Sequence, residues 1–135
     1  MKKYIKSWYN TKDLGLLIFR IVIGFYIFYG HGFGKLQRLF SGQEIKFADP
    51  IGLGEELSFY LVTMTEGVLF IFVILGLLTR FALIPFIITM LVATLSHLDE
   101  GLKGMEYSMI YLASFMMLFL TGPGKYSIDA MLKGK

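Results

Sequence analysis

The chain has 135 residues, of which 56% are hydrophobic and 17% charged, with a formal net charge of +3. Soluble domains are roughly 45–50% apolar and about 25% charged, so this composition excludes an ordinary soluble domain and predicts one membrane-embedded domain over residues 1–135. The sequence has no cysteine, which excludes disulfides, thiol catalysis, c-type haem attachment and cysteine-ligated iron–sulfur clusters.

Four apolar segments predict four transmembrane helices, over residues of about 14–33, 57–78, 81–97 and 105–121. A helix needs about 20 residues to cross a bilayer, so the short fourth segment must extend into its flanks or cross a thinned bilayer. Only helices and closed barrels satisfy their backbone groups in lipid, and this short chain lacks the pattern of a barrel. The fold class is therefore predicted as an all-α, four-helix transmembrane bundle.

The connections between these segments differ in length and composition. Residues 30–35 (Gly-His-Gly-Phe-Gly-Lys) resemble a phosphate loop, but no strand precedes them and no Ser or Thr follows the lysine. We expect these glycines to end the first helix and to let neighbouring helices approach closely. Residues 78–80 leave almost no loop and predict an antiparallel hairpin, whereas residues 37–56 are predicted to lie at the outer membrane surface.

Lysine and arginine are unevenly divided between the two ends of the predicted helices. With the N-terminus inside, eight lie on the cytoplasmic side and four on the other, which predicts that both termini are cytoplasmic. The cytoplasmic group is Lys2, Lys3, Lys6, Lys12, Arg80, Lys125, Lys133 and Lys135, and the outer group is Lys35, Arg38, Lys46 and Lys103. Membrane topology explains these charges, so no nucleic-acid partner is predicted.

Five ionisable residues lie within or beside the apolar segments: Arg20, His31, Glu66, His97 and Glu106. Charged groups are costly in lipid unless they are paired or hydrated, and such residues often mark functional sites. We therefore predict that these five bind a ligand. The carboxylates Glu66 and Glu106 are the candidates for acid–base catalysis.

Glu66 gives the strongest signal because it lies near the middle of the second segment. A short carboxylate at this depth must be protonated, paired with a cation or exposed to a watery cavity. An ion pair with Arg20 is one alternative, and proton transfer or ligand binding is the other. Arg20 in turn either extends to the headgroups or is buried against a carboxylate or an anionic or carbonyl ligand.

The remaining candidates are expected in the outer half of the membrane. His97 and Glu106 flank the short connection 98–105, and His31 lies about 17 residues, or roughly 25 Å, along the first helix. We predict a hydrogen bond from His97 to Glu106 or a ligand, while a histidine titrating near neutral pH would relay protons to Glu66. The spacing of these residues matches no known ligand motif, so no metal site is predicted.

Several short motifs occur in order along nearly the whole chain. They are Arg20-x-x-x-Gly24, Gly34-Lys35-Leu36, Glu66-Gly67, Glu106-Tyr107 and residues 47–54, 75–80 and 122–129. With this set the chain resembles the DoxX family of small prokaryotic inner-membrane proteins. The resemblance implies a multi-pass, four-helix protein of the bacterial or archaeal cytoplasmic membrane. It also implies that Arg20, Glu66, His97 and Glu106 occupy characteristic polar positions, without assigning their chemical roles.

The resemblance further implies a role beside quinone-linked oxidoreduction, as a small subunit of a quinol oxidase or a thiosulfate:quinone oxidoreductase. Other family members are membrane partners in oxidative-stress complexes. Quinone is therefore the one cofactor that the resemblance suggests. The implied partners are the lipid bilayer and membrane or peripheral oxidoreductase subunits, and a homo-oligomer remains open. The sequence has no haem-ligand pairing or flavin-binding fold, so it is not expected to be a complete enzyme alone.

Together these observations predict a redox-associated subunit with an intramembrane polar pocket for a quinone headgroup. In this hypothesis Arg20 or His97 donates a hydrogen bond to a quinone oxygen, and Glu66 or Glu106 moves the proton. The alternative is a non-enzymatic assembly or scaffolding subunit held together by its buried charges. A carrier for a small lipophilic solute is a third, weaker alternative.

Overall fold

The computed structural model describes the backbone of residues 2–134 and the side chains of residues 11–134. Over these residues the chain is helical and contains no strand. The seven α-helices are α1 (Lys2–Ile27), α2 (Phe33–Phe40), α3 (Glu55–Met64), α4 (Phe70–Leu75), α5 (Thr79–Ser96), α6 (Gly101–Thr121) and α7 (Ile128–Lys133). Six of them build four rods of transmembrane length, and the short α7 follows the last rod.

The four rods are called spans 1 to 4, in chain order. Span 1 joins α1 and α2 through a π-helical segment, Phe28–Gly32, and span 2 joins α3 and α4 through a second one, Thr65–Leu69. Span 3 is α5, and span 4 is α6 with the 3₁₀ turn Leu98–Glu100 before it. All four are long and apolar enough to cross a membrane, which confirms the predicted all-α fold with four transmembrane helices.

Two of the predicted helix ends are wrong. Span 1 does not end at the glycines of residues 30–35, because Gly32 keeps a right-handed helical conformation and the helix continues to Phe40. Glycine terminates a helix when it adopts a positive φ, and here it serves close packing instead. Span 4 begins earlier than predicted and covers 24 residues, so it reaches full length by extending into its flank.

The tight connection between spans 2 and 3 confirms the predicted hairpin. Gly76 ends α4 with a φ of 66°, and Leu78 precedes α5 with a φ of 46°. Gly76 adopts its positive φ without a steric penalty because glycine has no Cβ atom. Leu78 is a non-glycine residue in the same left-handed region, which is uncommon. Both residues lie beside the C-terminal segment, because the Asp129 amide donates a hydrogen bond to the Gly76 carbonyl at 2.8 Å.

The core of the bundle is apolar, and so is most of its outer surface. Phe86 and Phe115 are fully buried, with ring centroids 4.8 Å apart, and they join spans 3 and 4. Large apolar side chains such as Phe81 and Leu120 are more than two-thirds exposed on the outside. An apolar exterior around an apolar core is the arrangement expected of a bundle surrounded by lipid.

The two ends of the bundle carry different structures. The terminal end comprises Asp13, residues 76–79 and residues 122–129, and the loop end comprises residues 41–54 and Leu98–Glu100. The orientation with both termini cytoplasmic remains a prediction. Four of the basic residues on which it depends have side chains outside the described residues: Lys2, Lys3, Lys6 and Lys135.

Candidate functional site

Glu66 forms a buried ion pair with a residue that the sequence had assigned to a loop. Its Oε2 accepts a hydrogen bond from Lys35 Nζ at 2.6 Å, and only 3% of Glu66 is exposed. Lys35 Nζ also donates to the His31 carbonyl oxygen at 3.2 Å. The alternative of an ion pair between Glu66 and Arg20 is therefore wrong.

The two π-helical segments bring Lys35 and Glu66 together. A Cβ atom added to Gly32 would overlap the backbone carbonyl of Glu66, and one added to Gly67 would lie 2.8 Å from Leu36 Cγ. Spans 1 and 2 are therefore in backbone contact at this level, and Lys35 extends from span 1 one turn beyond Gly32. π-Helical turns within α-helices are frequent at functional sites, because the inserted residue re-aims neighbouring side chains.

An aromatic side chain of span 4 packs against His31, one turn before Lys35 on span 1. The His31 and Tyr111 rings are edge to face, with centroids 5.8 Å apart, and Tyr111 stacks on Phe115 at 6.0 Å. Lys35 therefore connects the His31 backbone to Glu66, whereas the His31 imidazole is exposed and contacts Tyr111.

Arg20 is fully buried and lies in a separate network at the terminal end. Its guanidinium donates to the carbonyl oxygens of Val73 at 3.5 Å, Ile74 at 3.1 Å and Tyr126 at 2.5 Å. Since the last carbonyls of a helix lack partners within it, a cation at the end of α4 satisfies them and interacts favourably with the helix dipole. Arg20 therefore does not extend to the headgroups, and its carbonyl partners belong to the protein.

Asp129 completes the terminal-end network at the start of α5. Its carboxylate accepts hydrogen bonds from the Leu78 amide at 2.7 Å, the Thr79 amide at 2.9 Å and the Thr79 hydroxyl at 2.8 Å. Burial acts to raise the pKa of Asp129, but these hydrogen bonds and the charge of Lys133 outweigh it and lower the pKa. The carboxylate thus ties the C-terminal segment to the hairpin.

His97 and Glu106 are exposed at the loop end and do not join the ion pair. His97 Nδ1 lies 2.7 Å from the Ala93 carbonyl oxygen of its own helix. Within residues 11–134, no hydrogen bond connects His97 to Glu106, so the predicted bond between these two side chains is not formed. No group of three potential metal-ligating His, Asp or Glu side chains occurs in that part of the chain.

A groove of about 530 Å³ opens at the loop end, away from the predicted site residues. It is lined by Ile45, Leu53, Gly54, Glu55, Glu56, Leu57 and Tyr60. Asp49 shapes this region by accepting hydrogen bonds from the amides of Leu53 at 2.8 Å and Gly54 at 2.9 Å. The hydrogen bond from Gly54 is the largest cause of the lowered pKa of Asp49. The groove is therefore distinct from the Lys35–Glu66 pair.

Sequence reasoning missed two side chains of these networks, Lys35 and Asp129. The sequence places Lys35 in the outer loop, because the glycines of residues 30–35 are expected to end the first helix. Its spacing of four residues from His31 would place both on one face of a continuing helix. Asp129 lies in the motif of residues 122–129, but no sequence signal shows that this motif returns to the hairpin at Leu78.

Comparisons with known proteins agree with the architecture. The sequence model of the DoxX family matches residues 15–98, which include most of span 1 and all of spans 2 and 3. The chain is 31% identical to the inner membrane protein YqjF of Escherichia coli over 132 residues, covering 93% of this chain and 98% of that protein. It is 28% identical to an uncharacterized protein of Haemophilus influenzae over 128 residues, covering 89% and 84% of the two chains. No solved structure matches at a significant level. The chain belongs to the DoxX family and is a multi-pass integral protein of the cytoplasmic membrane.

Proposed function

We propose that this protein is a redox-associated membrane subunit in which the Lys35–Glu66 pair receives the headgroup of a quinone or quinol. The observation that carries the proposal is the 2.6 Å ion pair, with a carboxylate only 3% exposed, inside an apolar bundle. Burying an ion pair rarely stabilises a protein more than apolar packing does. Ionisable residues at membrane depth more often serve ligands or proton transfer, so a functional role accounts better for this pair.

The two charged groups suit the two chemical forms of such a headgroup. The Lys35 ammonium can donate a hydrogen bond to a quinone carbonyl oxygen, and the Glu66 carboxylate can accept a proton from a quinol hydroxyl. When a quinol is oxidised, its hydroxyl protons leave and its electrons pass to an acceptor. In this proposal Glu66 takes the proton of one hydroxyl, the proton of the other hydroxyl is released to water at the membrane surface, and a membrane or peripheral oxidoreductase subunit takes the two electrons.

The roles in this proposal differ from those expected from the sequence. Arg20 is fully buried against carbonyl oxygens at the terminal end, and His97 is exposed at the loop end. Lys35 therefore replaces both as the donor to the quinone oxygen. Glu66 keeps the proton-transfer role, and the exposed Glu106 does not share it.

A route for the headgroup from the bilayer supports the proposal. The Lys35 side chain is 20% exposed, and His31 beside it is exposed on the surface of the bundle. A quinone is dissolved in the membrane and approaches from the side, so a partly open ion pair at membrane depth is accessible to it. The long isoprenoid chain would remain in lipid while the headgroup reaches the ion pair.

The test is a titration of the purified protein in lipid nanodiscs with decylubiquinone and a menaquinone analogue, across pH 5 to 9. We expect the wild-type protein to bind, and Glu66→Gln to bind at least about tenfold more weakly with a flatter pH dependence. The matched control is Glu44→Gln, because Glu44 is an exposed carboxylate whose lysine partner, Lys46, is 3.9 Å away. This control is expected to bind as the wild type does.

Two results would overturn the proposal. One is a wild-type protein that binds neither quinone, and the other is Glu66→Gln with unchanged affinity and pH dependence. Native mass spectrometry of protein extracted with its own lipids separates the alternative functions. A quinone-free protein that retains a second polypeptide would favour an assembly subunit.

A further inference from the structure

The hydroxyl group of Thr63 is buried and has no hydrogen-bond partner among the described residues. Only 2% of Thr63 is exposed, and its Oγ1 is inaccessible to solvent. Other hydroxyls in the spans donate to the carbonyl oxygen four residues earlier, at 2.8 to 2.9 Å. These are Thr65, Thr94, Ser96, Ser114 and Thr121. Thr63 therefore departs from the usual way in which this bundle satisfies a hydroxyl.

An unpartnered buried hydroxyl has a measurable cost. Leaving such a group without a hydrogen bond destabilises a protein, and in lipid no water replaces the missing partner. Native structures leave few such groups, and each one needs an explanation. A ligand that supplies the missing acceptor is one explanation, provided that the hydroxyl lies beside a binding site.

Thr63 meets this condition because it shares the buried face of span 2 with Glu66. The two residues are three positions apart, which corresponds to about 4.5 Å along the helix, and Phe59 and Gly67 are buried on the same face. Glu66 uses only Oε2 for Lys35, and no hydrogen bond reaches its Oε1 within residues 11–134. One turn of span 2 therefore carries both a hydroxyl without a partner, at Thr63, and a carboxylate oxygen of Glu66 that accepts no hydrogen bond.

We infer that the Thr63 hydroxyl donates a hydrogen bond to a headgroup oxygen of the ligand that the Lys35–Glu66 pair receives. The inference rests on the proposed function and adds a residue that determines specificity. An oxygen-bearing headgroup satisfies Thr63, whereas a lipid chain or another apolar molecule at the same place leaves the hydroxyl unpaired. Sites that contain a buried polar group discriminate strongly against analogues that cannot pair with it.

The test compares three substitutions in nanodiscs with decylubiquinone as the probe. Thr63→Val keeps the shape of the side chain but removes the hydroxyl, and Thr63→Ser keeps the hydroxyl. Thr65→Val is the matched control, because Thr65 is also buried but donates to the Leu61 carbonyl at 2.8 Å. We expect Thr63→Val to bind about five- to tenfold more weakly, and the other two variants to stay within about twofold of the wild type.

A second readout separates ligand binding from a structural role. Without quinone, Thr63→Val is expected to have the same Tm as the wild type or a higher one, because it loses no hydrogen bond. Thr63→Ala, which cannot overpack the site, is measured in parallel and must show the same loss of affinity. If Thr63→Val and Thr63→Ala bind decylubiquinone as the wild type does while Glu66→Gln does not, this inference alone is wrong. If the wild-type protein does not bind decylubiquinone, both the inference and the proposed function are wrong.

Discussion

The two buried charged residues among the described side chains, Arg20 at the terminal end and Glu66 beside Lys35, are paired in different ways. Arg20 is fully buried and donates to three backbone carbonyl oxygens from two distant parts of the chain. Glu66 is nearly as buried but accepts a single hydrogen bond, from a lysine that is itself partly exposed. The Arg20 charge connects separate elements of the fold. The Glu66 carboxylate, by contrast, keeps hydrogen-bonding capacity that its single lysine partner does not use.

The hydrogen-bond partners of Arg20 and Glu66 explain why we propose proton transfer only for the Lys35–Glu66 region. Carbonyl oxygens do not titrate and arginine keeps its proton, so the terminal-end network is unchanged across physiological pH. A lysine and a carboxylate can both exchange protons, and the Lys35 side chain is partly exposed. The terminal end should therefore respond to mutation mainly in stability, and the Lys35–Glu66 region also in ligand binding.

The largest expected effect is at the terminal end. Arg20→Met removes three hydrogen bonds and leaves their carbonyl oxygens unpaired, so we expect a loss of about 3 kcal/mol or more in the free energy of unfolding. The measurement is reversible unfolding in detergent. Arg80→Met is the control, because Arg80 is exposed and donates one hydrogen bond, to the Phe119 carbonyl at 3.1 Å. Equal stability of these two variants would contradict the structural role of Arg20.

An intermediate effect is expected from a double-mutant cycle on the ion pair. Lys35→Met and Glu66→Gln each remove the same interaction, so the double variant should lose less stability than the sum, by about 1–3 kcal/mol. Because Arg20 and Glu66 belong to separate networks, Arg20→Met and Glu66→Gln should be additive within about 0.5 kcal/mol. If Arg20→Met and Glu66→Gln were coupled and Lys35→Met and Glu66→Gln were additive, Glu66 would pair with Arg20, in contradiction to the structure.

The smallest expected effect concerns pH and the Asp129 carboxylate. Because the folded state lowers the pKa of Asp129, its contribution to stability is fully present above the ordinary aspartate value of about 4. That contribution is lost as the pH falls through the lower folded value. In Asp129→Asn, Tm should therefore decrease less between about pH 4 and pH 2 than it does in the wild type. The control Asp99→Asn, at an exposed aspartate, should leave this decrease unchanged. If the Tm of Asp129→Asn decreased with falling pH as steeply as that of the wild type, this carboxylate would not tie the C-terminal segment to the hairpin.

Part of the candidate site could be predicted from the sequence and part could not. The position of Glu66 near the middle of an apolar segment is enough to predict a carboxylate at membrane depth that is protonated, paired with a cation or exposed to a watery cavity. Its partner could not be identified, because Arg20 and Lys35 both lie on span 1 and the choice depends on how spans 1 and 2 are aligned. Gly32 against the Glu66 backbone sets that alignment.

The length and composition of the apolar segments determined the membrane fold by themselves, because a helix that crosses lipid needs about 20 apolar residues whatever surrounds it. Tertiary structure decided which polar groups meet. The partners of Arg20 are backbone carbonyls, which every residue carries and which therefore leave no mark in a sequence. Thr63 and Thr65 likewise have the same side chain and nearly the same burial, but only the Thr65 hydroxyl has a partner among the described residues, and nothing in the sequence distinguishes the two.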